Sequence, residues 1–134
     1  MKFSPKKFQD RGAVATIELA VCLPIMAVIV FAPLAATSTI FLRAAAVQSA
    51  YEVVREAVKV DGDLDVARAR GASVLTFRNI TPVSIDITPA NVGDQAPGTP
   101  ITVTVAVQTE GNGVFAFGPF GNRTIEVQSV MMKE

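Results

Sequence analysis

Between Glu18 and Arg43 lie 24 consecutive residues without a charge. At about 1.5 Å of rise per residue, a helix of that length covers roughly 36 Å, more than the ~30 Å hydrocarbon core of a bilayer. The stretch is rich in Ala, Val, Ile, Leu and Phe. Lipid offers no water to backbone N–H and C=O groups, so a lone segment satisfies them there only as a helix. Residues 13–42 are therefore predicted to form a membrane helix, and the rest of the chain has to be arranged around it.

Glu18 is the anomaly. It sits one helical turn into the apolar segment, counted from Ala13. An ionised carboxylate in lipid costs several kcal/mol and marks a functional position with a partner to be named. Two readings stand: Glu18 reaches water in the headgroup zone, or it pairs with a cation inside an assembly. Pro24 and Pro33 lie within the same helix. Each removes a backbone donor and crowds the carbonyl four residues back, so each is expected to kink or loosen the helix. Ala13, Ala15, Ala20, Ala27, Ala32, Ala35 and Ala36 lend it a small-residue character that lets helices approach closely, though alanine is also simply apolar and helix-tolerant.

The charges set an orientation. Lys2, Lys6, Lys7 and Arg11 precede the segment against Asp10 alone, whereas the charges beyond it are mixed, beginning with Arg43, Glu52, Arg55 and Glu56. The positive-inside rule then places the N-terminus in the cytoplasm and the following domain outside. The expected organisation is a basic flank or leader (residues 1–12), a transmembrane helix (13–42) and an extracytoplasmic domain (43–134). A domain of that size buries one small core. Half of all residues are hydrophobic, and the membrane run accounts for the excess. A cleaved secretory signal is a rival, with cleavage near Ala35-Ala36 or Ala44-Ala46, but the run is longer than a usual signal core. Cys22, the sole cysteine, follows Val21 with most of the apolar run downstream, which argues against a lipoprotein signal; no intrachain disulfide can form.

Past the membrane the pattern changes twice. Residues 43–60 contain neither Gly nor Pro, and Val47, Ala50 or Tyr51, Val54 and Val58 recur at helical spacing. Glu52 with Arg55 and Glu56 with Lys59 are opposite charges three apart. The membrane helix is thus expected to continue outside as an amphipathic half, ended by Asp61-Gly62. Asp63 is a suitable N-cap for a second helix from Leu64 to Phe77, with Ala67, Gly71, Val74 and Leu75 on one side. Arg68, Arg70 and Arg78 cluster here, which a solvated face explains.

From Thr81 the period becomes two. Val83, Ile85 and Ile87, then Ile101, Val103, Val105 and Val107, then Ile125 and Val127 alternate with polar or small neighbours. Three such half-buried strands need a helix on their apolar face. The expected fold is α+β: a long N-terminal helix, a short second helix and a three-stranded antiparallel sheet packed on the helix. Pro89–Pro100 and Glu110–Asn122 are the connections. The second holds Val114, Phe115, Phe117 and Phe120 among glycines, which form either a contact surface or a cap over the small core.

Catalytic chemistry is poorly provided for. The chain has no histidine, which excludes Ser-His or Cys-His nucleophiles and His-based zinc sites. It has no phosphate-cradling glycine loop. Asp61, Asp63 and Asp65 read as turn and cap residues, Asp86 and Asp94 as strand and turn polars. With zero formal net charge nothing draws it to nucleic acid. An enzyme is not expected, and neither is a cofactor or metal.

The basic flank, Arg11-Gly12-Ala13, then Glu18-Leu19, then Leu23-Pro24 inside a long apolar helix, resembles the class III signal of type IV pilins and pseudopilins. Residues 11–60, including Ala50-Tyr51-Glu52-Val53-Val54-Arg55-Glu56-Ala57, resemble the TadE-like family, minor pseudopilins of the Tad (tight adherence) pilus system. The resemblance implies a pilin-like fold in a single-pass protein of the bacterial inner membrane. It further implies cleavage by a prepilin peptidase, and other pilin or pseudopilin subunits and membrane lipid as partners. Glu18 would neutralise the new N-terminal amine of a neighbouring subunit. The family pattern places four residues between the cleavage-site glycine and the glutamate, whereas five separate Gly12 from Glu18 here. Cutting after Ala13 restores the spacing, so Gly12 and Ala13 are both processing candidates. An unprocessed member would remain an anchored adaptor displaying its outer domain.

Overall fold

The computed structural model describes residues 6–59, 63–112 and 122–134, with side chains from Gly12 onward. The elements are α1 (Lys6–Ala57), α2 (Leu64–Thr76), β1 (Pro82–Thr88), a short 3-10 turn (Val92–Asp94), β2 (Pro100–Gln108) and β3 (Thr124–Met132). This is the α+β layout read from the sequence. The chain divides into two units, Met1–Leu34 and Ala35–Glu134.

In the first unit α1 is apolar on every side. Val14, Ile17, Leu19, Val21, Leu23 and Ile25 are all exposed, and Ile17 and Val28 are 65% and 66% accessible. Nothing among the described residues of the unit covers them.

In the second unit the helix has a buried side. Leu42, Ala45, Ala46, Ser49, Ala50, Val53, Val54 and Ala57 are buried, at the three- and four-residue spacing of one helix face. Of the residues expected on that face, Val54, Val58 and Ala50, rather than its alternative Tyr51, are buried, whereas Val47 is exposed. The helix turns its small residues inward because α2 lies so close. A Cβ placed on Gly71 would come 2.1 Å from Val53 Cγ2 and 3.1 Å from Ser49 Oγ, so only glycine fits there. The Ser49 hydroxyl donates to the Gly71 carbonyl at 3.0 Å, which satisfies a buried polar group across the contact. Of the two expected ion pairs on this helix, Glu56–Lys59 closes, at 2.6 Å.

Asp63 caps α2 as expected, its carboxylate accepting from the Asp65 N–H at 2.8 Å. Ala67, Gly71 and Leu75 form the buried side of α2, while Val74 is half-buried. Beyond its last turn Asn79 takes the left-handed conformation (φ 56°), which asparagine tolerates better than most residues. The Ile80 N–H returns to the Leu75 carbonyl at 2.9 Å, and Ile80 is buried.

The sheet has order β1-β2-β3 with both pairings antiparallel. Its central strand supplies Ile101, Val103, Val105 and Val107, all fully buried. Ile85 pairs with Val105 and Val105 with Val127; Ile101 faces Met131 and Val107 faces Ile125. These apolar cross-strand rows make up one face and join the helix residues in a single core. The other face carries Asp86, Thr104 and Gln128 in register. Val83 departs from the alternation. Pro82 pairs with Val107 and Ser84 with Ala106, so an extra residue bulges out between them, and Val83 is exposed.

The first connection also contributes to the core, through Val92. It is held by Lys133, whose ammonium donates to the carbonyls of Val92, Gly93 and Gln95 at 2.7, 2.8 and 2.9 Å. Lys133 is 8% accessible, and the three carbonyls take up all three of its N–H donors. Backbone bonds from Gly98 to Lys133 and from Lys133 to Thr99 complete the closure.

Candidate functional site

Residues 12–34 of α1 are the candidate for assembly. All are exposed except Ala27 and Ala32, which are half-exposed. The helix bearing them is long and apolar enough to cross a membrane, with a mean hydropathy of 2.6 over its most apolar window. An α-helix apolar all round belongs in lipid or in the middle of a bundle. The few polar groups are handled locally. The Thr16 hydroxyl donates to the Gly12 carbonyl at 2.9 Å, and Thr39, farther along, donates to Ala35 at 3.1 Å. Such back-bonds hide a hydroxyl inside its own helix. Pro24 and Pro33 both lie inside α1, which is helical through each of them. They have no N–H to offer the carbonyls of Ala20 and Ile29.

Glu18 has no such local solution. It is exposed, and its neighbours on the same helix face at three and four residues are Val14, Ala15, Val21 and Cys22. Among the described residues it makes no hydrogen bond and no ion pair. A carboxylate in this setting needs water or a cation supplied from elsewhere.

The two processing candidates, Gly12 and Ala13, fall within α1. A peptidase acts on extended chain, so the first turns must unwind before the bond can be cut. Glycine makes that easier, since it weakens a helix interior by about 1 kcal/mol relative to alanine. Open space surrounds Gly12.

In the second unit, Phe115, Phe117 and Phe120 lie outside the described residues. The base of their loop is described. The Thr109 N–H donates to the Arg123 carbonyl at 2.9 Å, and the Arg123 N–H donates to Thr109 Oγ1 at 2.8 Å. Asn112 clamps the loop to the start of β1. Its Oδ1 accepts from the Thr81 N–H at 2.9 Å, and its Nδ2 donates to the carbonyls of Thr81 and Gln108 at 3.2 and 3.0 Å. Sequence reasoning missed Asn112, although an Asn between two loop glycines is a usable signal for a side chain that bonds backbone. No group of three or more His, Cys, Asp or Glu converges among the described residues. Asp63 is engaged in its cap and Asp65 pairs with Arg68 at 3.3 Å. Cys22 is exposed on the apolar helix.

Compared with family models, with curated proteins and with solved structures, the chain matches none.

Proposed function

We propose that this protein is a pseudopilin-like subunit, of the kind the TadE-like resemblance implies, held in the bacterial inner membrane by α1 with its N-terminus in the cytoplasm. It assembles through that helix, as a minor component, into a Tad-type pilus or a related secretion or adhesion apparatus. A prepilin peptidase releases the basic flank after Gly12 or Ala13, and the new terminal ammonium of one subunit pairs with Glu18 of the next.

The observation that supports this reading is Glu18 itself: exposed, surrounded by apolar neighbours, and without a partner among the described residues of its own chain. In a helix bundle of low dielectric either charge alone is costly, while the pair is tolerated. Because the two groups meet at one axial stagger only, the pair would also set the register of the assembly. The exposed sides of the apolar stretch supply the packing surface.

The test is the mature N-terminus, by intact mass and sequencing of protein from native membranes, together with Glu18→Gln. The expected chain begins at Ala13 or Val14, and Glu18→Gln inserts into the membrane but fails to enter the assembly. A Glu18→Gln protein that assembles like wild type would sink the pairing role. A second reading is favoured by the helical state of the Gly12–Ala13 bond. In it the chain stays uncut as an anchored adaptor presenting its outer unit, and a mature protein that keeps Lys2 to Arg11 identifies this case.

A further inference from the structure

Helix α2 runs antiparallel to the α1 stretch it packs on, and its C-terminal end points toward Phe41 and Leu42 of that stretch. Three contacts fix this direction. Gly71 lies against Ser49 and Val53. Seven residues later Arg78 donates to the Gln48 side-chain carbonyl. The same guanidinium lies 5.6 Å from the centroid of the Phe41 ring, within cation–π range. Phe41 and Leu42 are the last apolar residues before Arg43. With about 1.5 Å of rise per residue, Phe77 lies level with the first turn of α1 beyond Leu42.

Phe77 is 92% accessible. On α1, Phe41 and Arg43 are both exposed. From Phe41 to Tyr51 the sole charge is Arg43. From Val66 to Thr81 the charges are Arg68, Arg70 and Arg78, of which Arg68 is paired with Asp65 at 3.3 Å. Aromatic rings flanked by arginines, at the level where an apolar helix ends, match the chemistry of a membrane–water interface. There the ring enters the headgroup–acyl boundary and the guanidinium meets lipid phosphate.

We infer that the C-terminal turn of α2 docks on an anionic phospholipid surface, with Phe77 inserted and Arg43 and Arg78 against the headgroup phosphates. The inference rests on the reading of α1 as a membrane helix. Docking gives the outer unit a second attachment besides α1, and holds the Arg78 face against the bilayer until the subunit is drawn into an assembly.

The chain contains no tryptophan, so single reporters can be placed at will. Full-length Phe77→Trp, Ile40→Trp and Val130→Trp proteins are reconstituted in phosphatidylcholine vesicles with and without phosphatidylglycerol. Quenching is read with lipids brominated just below the headgroup. Ile40 is an exposed residue of the apolar run, and Val130 is exposed on the polar face of the sheet. Phe77→Trp and Ile40→Trp are expected to be quenched and Val130→Trp spared, with Phe77→Trp quenched more when phosphatidylglycerol is present. Arg43→Gln and Arg78→Gln in the Phe77→Trp background each lower the docked-to-undocked ratio about fivefold. Quenching of Ile40→Trp without Phe77→Trp overturns the docking and leaves the membrane helix standing. Loss of both overturns the membrane reading and the docking with it. Equal quenching of Phe77→Trp in phosphatidylcholine alone overturns the anionic-lipid assignment, and equal quenching of Val130→Trp overturns a site-specific contact.

Discussion

Helix α1 contributes to two regions that treat the same residue types in opposite ways. In Gly12–Leu34, valines, isoleucines and leucines stand exposed on every side of the helix. In Leu42–Ala57, a narrower face, half of it alanine, is buried completely, while Val47 and Tyr51 are left outside. Hydrophobicity alone therefore does not predict burial along this helix. What separates the regions is the distribution of polar residues. The first has only Thr16 and Glu18 among its polar side chains, so no side is marked as outward. The second has Arg43, Gln48, Glu52, Arg55 and Glu56 on its solvent side, which leaves one stripe to pack. The first region's apolar surface is left open among the described residues; the second's inner stripe is packed into the core.

The largest expected effect that tests this contrast comes from a pair of truncations. Leu75→Ala empties a fully buried site and should destabilise the Ala35–Glu134 unit by about 3 kcal/mol, read as a lower denaturation midpoint in detergent. Leu23→Ala, at an exposed site, should leave that midpoint within about 0.5 kcal/mol of wild type. Equal shifts in the two variants would break the comparison.

Gly71→Ala comes next. Its Cβ must displace Val53, whose β-branched side chain has little freedom in a helix, so a loss of about 2–3 kcal/mol is expected. Val53→Ala combined with Gly71→Ala should recover much of it. If the pair is no better than the more damaging single variant, the close approach of α1 and α2 is not what limits this position.

The smallest of the three is Lys133→Met. It leaves the carbonyls of Val92, Gly93 and Gln95 without their shared donor and should cost about 2 kcal/mol. Hydrogen exchange should rise first around residues 92–99, where the lysine ties the connection down. Unchanged exchange there would assign the loop's order to Val92 burial instead.

Much of this architecture was legible in the residues alone. The uncharged run between Glu18 and Arg43, the cap at Asp63 and the alternation in Ile101–Val107 each encode local structure through spacing, because periods of 3.6 and 2 place side chains on one face whatever the surroundings. Fold class followed, since three half-buried strands and two helices have few ways to cover one another. Glu18 stood out for a similar reason: a carboxylate among apolar neighbours is anomalous in any fold.

Periodicity placed Val54 and Val58 on the inner face of the long helix, and they are buried; it left the choice between Ala50 and Tyr51 open and added Val47. Only the tertiary structure decided those positions: the approach of Gly71 requires small residues opposite it, and Ala46, Ser49 and Ala50 meet that need while Val47 and Tyr51 stay outside. The bulge that turns Val83 outward depends on its pairing with β2, which strand alternation does not register. Lys133 reads as an ordinary charged residue near the end of the chain, yet three carbonyls 38 to 41 positions away in sequence enclose its ammonium. Phe77 and Arg78 look like the solvated end of a helix until Arg78 is found on Phe41. Local spacing determines what each segment becomes; contacts between residues far apart in sequence determine which of its faces are used.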